Sequence, residues 1–108
     1  MSADAAGYSR LMGADETGTL AALKALRSDI FAPAVSEHRG RVVKLMGDGA
    51  RVEFASVVDA VGCAVAIQNI MAERNADVAP DRRVQLRIGV NLGDIIIEGR
   101  DIYGDGVN

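Results

Sequence analysis

The order of hydrophobic patterns in this sequence predicts an α+β sandwich, with helices packed on one face of an antiparallel sheet. Two observations carry that prediction. A segment of helical period followed by an alternating hairpin occurs twice, and the first hairpin turns at the glycine-bracketed Gly47-Asp48-Gly49.

The first helix is expected from Asp15, a suitable N-cap with Glu16 beside the positive end of the helix. Behind it Leu20, Leu23, Leu26, Ile30 and Phe31 recur at three- and four-residue steps. Pro33 should kink this helix or begin a new turn, since its ring removes an amide donor, and Gly40 suits a left-handed stop after Arg39. Residues 41–46 and 51–54 then read as two strands around the turn Gly47-Asp48-Gly49. Ser56 with Asp59 gives a start resembling a capping box, and Val57, Val61, Ala64, Val65 and Met71 carry a second, heavily buried helix to about Asn75. A polar loop over residues 76–83 leads to an alternating strand over 84–90. Asn91-Leu92-Gly93 can turn the chain back into another strand at 94–98, and residues 100–108 form a Gly- and Asp-rich loop. Such a layout calls for a strand before the first helix. Only a few residues precede Gly7, so that strand is either very short or cut.

A chain of 108 residues, 49% hydrophobic and 25% charged, has the balance of one globular domain. Its apolar stretches, such as residues 61–67, fall far short of the roughly 20 residues that span a bilayer, so no membrane contact is expected from this segment. No signal-peptide pattern is visible, and the single cysteine cannot form an intramolecular bridge; a cytoplasmic setting is expected. A net charge of −3 gives no basic footprint for nucleic acid, and two tyrosines, two phenylalanines and no tryptophan offer few stacking platforms. A phosphate-bearing ligand would need metal ions or a local cluster of donors.

The residues suited to such a ligand are spread along the chain. Asp4 precedes the small run Ala5-Ala6-Gly7, and Asp48 sits at the tip of the first hairpin. If the strand ending near Asp4 lies beside that hairpin, the two carboxylates converge, and hard oxygen ligands suit Mg²⁺ or Mn²⁺. Gly7 would let backbone amides approach a phosphate. Taken singly, Gly47-Asp48-Gly49 is equally an ordinary turn, Lys44 an ordinary solvated strand lysine, and Asp101 and Asn108 ordinary loop residues. Cys63 reads as a packing residue.

Taken together, Asp4-Ala5-Ala6-Gly7-Tyr8-Ser9, Lys44-Leu45-Met46-Gly47-Asp48-Gly49, Arg87-Ile88-Gly89-Val90 and Asp101-Ile102-Tyr103-Gly104-Asp105-Gly106-Val107-Asn108 resemble, in order and spacing, the catalytic domain of class III nucleotidyl cyclases. The resemblance covers essentially all of residues 1–108 and is closest to the bacterial adenylate cyclase branch. It implies a ferredoxin-like sandwich, here incomplete at both ends, running from the end of the first strand to the loop that closes at Asn108. It also implies a division of labour. Asp4 and Asp48 resemble the aspartates that bind two divalent cations, Mg²⁺ or Mn²⁺. Lys44 and Asp101 resemble the pair that recognises adenine, and Asn108 resembles the catalytic asparagine that positions the ribose and reacting groups. In the family each site draws its metal aspartates from one subunit and its base- and ribose-contacting residues from the other, across a head-to-tail homodimer. A Lys with an Asp offers the donor and acceptor that adenine's edge requires, whereas guanine presents the reverse, so ATP is the expected substrate.

Departures from the family pattern are visible too. The family arginine four positions beyond Asn108, a further phosphate-contacting lysine and the later strands would fall past the last residue of this sequence. Leu45 stands where threonine is frequent, and Ala5-Ala6 replace a larger apolar pair. The alternative expectation is a noncatalytic module that dimerises or senses nucleotide. A diguanylate cyclase ranks last, because its Gly-Gly-Asp/Glu-Glu-Phe signature is absent from the hairpin.

Overall fold

A computed structural model of the chain describes residues 1–90. The second half of the expected second hairpin and the 100–108 loop, with Asp101 and Asn108, lie outside the described residues. The described elements run in the order β1 (Ser2–Ala5), α1 (Tyr8–Ala14), α2 (Glu16–Leu26), a π-helical turn (Arg27–Phe31), α3 (Ala32–Glu37), β2 (Gly40–Met46), β3 (Gly49–Phe54), α4 (Val57–Asn75), a 3₁₀ turn (Pro80–Arg82) and β4 (Leu86–Gly89). The four strands form one sheet in the order β2-β3-β1-β4, antiparallel at every junction. This is the α+β architecture that the hydrophobic pattern predicts.

A short strand does precede the first helix. With only four residues, β1 lies inside the sheet, pairing with β3 on one side and β4 on the other. Alternation then sorts its side chains. Ala3 and Ala5 are buried toward the helices, together with Ala50 and Val52 of β3, while Ser2 and Asp4 face the other way. Helix α4 covers that inner face with Ala60, Cys63, Ile67 and Met71, spaced at three and four residues. Cys63, Ile67 and Val52 are the largest fully buried side chains.

Several details differ from the sequence expectation. Helix α4 is buried along Ala60, Cys63, Ile67 and Met71, and Val58, Val61 and Val65 project outward at 79%, 45% and 53% exposure. In its first turns, close helix-on-sheet packing favours the narrow Ala60 and Cys63 over the bulkier valines. Leu20 is exposed, and Thr19 is buried in its stead, its hydroxyl donating to the Leu11 carbonyl at 3.0 Å. Pro33, by contrast, begins a new turn as expected: the Ala32 amide bonds back to the Arg27 carbonyl, a π register, and Pro33 then occupies the first turn of α3, where a missing amide is tolerated. The left-handed residue is Arg39 itself, at φ 61°, one position before the expected Gly40. Gly40 opens β2 instead, and a Cβ there would come within 2.5 Å of the Phe54 ring. The caps expected at Asp15 and Ser56 are present: each side chain accepts from the amide three residues on, at 3.0 Å.

Candidate functional site

The solvent face of the sheet, opposite the helices, holds the charged residues. In the strand registers Asp4 is opposite Gly49 on one side and Arg87 on the other, while Met46 is opposite Gly49. The next row along contains Lys44, Arg51, Ser2 and Gly89. Alternation places Asp4, Arg87, Arg51 and Lys44 on this one face.

Asp48 joins Asp4 through the hairpin tip. The β2–β3 connection is a two-residue turn, Gly47-Asp48, with Gly47 at φ 49°. The Ala5 amide donates to the Asp48 carbonyl at 3.2 Å, so the tip is tied to the end of β1. Gly49 allows this close approach: a Cβ on it would meet the Ala3 carbonyl oxygen at 3.0 Å. Two aspartates remote in sequence thus stand on adjacent backbone, both half-buried.

On the side of Asp4 away from the hairpin the structure adds a residue to which the sequence reading gave no individual role. Arg87 donates from Nε to Asp4 Oδ1 at 2.8 Å. Its guanidinium is held even more firmly in the charged form by that hydrogen bond first, then by the charge of Asp4, against an opposing desolvation, with Asp48 contributing least. Both carboxylates therefore act on one cation. The signal in the sequence was the alternation of residues 84–90, which puts Arg87 out of phase with Leu86 and Ile88. Only the β1–β4 register reveals that it faces Asp4.

Lys44 is on the same sheet face but apart from this cluster. A β-bulge between Val42 and Lys44 interrupts β2, and Lys44 pairs with Arg51, one row away and two strands across from Asp4. That displacement is about 12 Å from standard strand spacings. Lys44 borders a separate cleft with Val43, Arg51 and Glu53. Gly7 adopts φ 67° between β1 and α1, exposed to solvent. The structure thus brings Asp4 and Asp48 together and leaves Lys44 outside their reach within one chain.

The donor set fits a hard divalent cation bound jointly by protein and ligand. Among the described residues no group of three or more His, Cys, Asp or Glu side chains is poised to hold a metal alone. Mg²⁺ is commonly held by one or two carboxylates with substrate phosphates completing its shell, and Asp4 and Asp48 can supply two.

Among the described residues no helix is long and apolar enough to cross a membrane. No protein-family model matches the chain. It is 53% identical over all 108 residues to a Rhizobium meliloti (strain 1021) protein named "Putative adenylate cyclase 3", of which it spans 18%. A second similarity, 29% over 76 residues, is to the Myxococcus xanthus serine/threonine-protein kinase pkn2, of which it spans 9%. Among solved structures, the adenylate/guanylate cyclase/hydrolase from Silicibacter pomeroyi superposes with a TM-score of 0.77 and 41% identity, over 83% of this chain and 52% of that one. The chain thus spans about a fifth of the first relative and about half of the structural one. With sequence identity along its whole length and the same arrangement of sheet and helices, this chain belongs to the adenylate/guanylate cyclase domain family.

Proposed function

We propose that this domain serves an adenylate cyclase, converting ATP to 3′,5′-cyclic AMP and pyrophosphate at sites shared by two copies in a head-to-tail homodimer. The observation that carries the reading is the juxtaposition of Asp4 and Asp48, held by the β1–β3 register and the Ala5–Asp48 hydrogen bond.

Cyclisation needs the ribose 3′ oxygen to attack the α-phosphorus while pyrophosphate departs. Two bound divalent ions supply stabilisation of the attacking and leaving oxygens. Asp4 and Asp48 would hold them, each from a rigid strand or tight turn, so little reorganisation is needed as charge develops. Lys44, with Asp101, would read the adenine edge from the partner copy, and Asn108 would orient the ribose. Gly7 would admit a phosphate close to the backbone between β1 and α1. The separation of Lys44 from the aspartates within one chain supports the two-copy arrangement. So does β2, an edge strand whose Val42, Val43, Leu45 and Met46 are 39–51% exposed, an unusual density of apolar surface for a solvated edge.

The test is direct: purified full-length protein, supplied with Mn²⁺ and ATP, should release cyclic AMP and pyrophosphate in equal amounts. A folded dimer that binds ATP without turnover would instead establish the noncatalytic, nucleotide-sensing reading.

A further inference from the structure

The Asp4 carboxylate has a cationic partner on one of its two oxygens: Arg87 donates from Nε to Oδ1 at 2.8 Å, a charge-assisted hydrogen bond. The contact joins residues 83 positions apart, and each is fixed by direct strand pairing, Asp4 opposite Arg87 in the β1–β4 ladder. It is therefore built by the fold and does not depend on a wandering loop. Other cationic side chains of this face, Lys44 and Arg51, lie in the neighbouring row and make no hydrogen bond to Asp4 among the described residues.

We infer that Arg87 is a resident counter-cation of the metal site, and that a divalent ion binding through Asp4 competes with its guanidinium for the carboxylate. The inference rests on the metal role proposed for Asp4 and Asp48 and adds a competition built into the site. Two consequences weaken metal binding: the Asp4–Arg87 ion pair is loosened, and a positive charge remains near the incoming divalent ion. At 70% and 45% side-chain exposure the pair is well solvated, so the competition is modest and readily reversed.

The experiment measures metal affinity, with no turnover. Full-length, nucleotide-free protein is titrated with Mn²⁺, and free Mn²⁺ is read by electron paramagnetic resonance. Wild type, Arg87→Gln, Arg87→Lys, Arg51→Gln and Asp4→Asn are compared, each checked for native circular dichroism. Arg87→Gln should bind Mn²⁺ about 3- to 10-fold more tightly than wild type, the range expected for removing one exposed, hydrogen-bonded charge. Arg87→Lys, retaining charge without the guanidinium's fixed fork, should fall between them. Arg51→Gln should change affinity much less, and Asp4→Asn should lose the site. Wild-type binding that Arg87→Gln leaves equal or weakens overturns the competition alone, as does an equal gain from Arg51→Gln. Failure of every form to bind Mn²⁺ overturns both the competition and the metal reading beneath it.

Discussion

Asp48 contributes to this domain in two separable ways. Its backbone carbonyl accepts from Ala5 and helps fix the hairpin tip, whereas its side chain makes no hydrogen bond or ion pair among the described residues. Asp48→Ala should therefore leave thermal stability within about 0.5 kcal/mol of wild type, as for most surface changes. Under the proposed metal role, cyclase activity of the full-length protein should fall by more than about 100-fold, because even outer partners of metal ligands cost 10- to 100-fold. Retained activity would remove Asp48 from the metal role. Cys63 behaves oppositely, acting wholly through burial. It is 0% exposed, and desolvation raises its thiol above the ordinary value. The native state thus retains the proton at a pH where the unfolded chain has released it. Stability from this group is fully present below the unfolded thiol's pKa of about 8.5 and is lost as pH rises from there toward the higher native value. Denaturant unfolding from pH 7 to 10 should show wild type losing stability relative to Cys63→Ala across that alkaline window. Parallel curves would contradict the assignment.

At the scale of elements, the connection from α3 to β2 shows where local pattern reading slips by one residue. His38 caps the helix and Arg39 takes the left-handed conformation, although the adjacent Gly40 could adopt it at no steric cost. The exchange is explained by Phe54, whose ring lies where any Gly40 side chain would project, so glycine is needed one position later for packing. A non-glycine residue in this conformation costs roughly 1–2 kcal/mol, while the Arg39–Asp59 pair, 3.5 Å long with Arg39 81% exposed, returns little. Arg39→Gly should consequently stabilise the domain by about 0.5–1 kcal/mol in urea unfolding after the added freedom of the unfolded glycine is subtracted. A loss of stability would mean that the Asp59 contact is stronger than its exposure suggests. The same kind of competition decided helix α4, where the apolar pattern is strong on two sides and only the side of Ala60, Cys63, Ile67 and Met71 meets the sheet.

At the scale of the molecule, the alternation of helices and hairpins made the architecture legible, because period 2 and period 3.6 are local properties of the chain. The meeting of Asp4 with Asp48 could be expected only conditionally, since it requires β1 to pair beside the hairpin, a nonlocal choice of strand order. Arg87 lacked even a conditional expectation, because its role depends on β4 closing the other side of β1. Asp101 and Asn108 lie outside the described residues, and the role of Lys44 depends on a second copy. That last dependence leads to a test that no single-chain defect can mimic. Under the shared-site reading, Asp48→Ala damages the metal half of a site and Lys44→Glu the base-reading half. Each homodimer should be inactive with ATP. A heterodimer, however, contains one site in which both halves are intact and one in which both are damaged. If the subunits reassort freely, half of the dimers are mixed, and each holds one working site out of two. Mixing equal amounts of the two full-length variants should restore about a quarter of wild-type cyclic AMP production, as a closed two-fold dimer requires. Sites completed within one chain would regain nothing on mixing, at any ratio of the two variants.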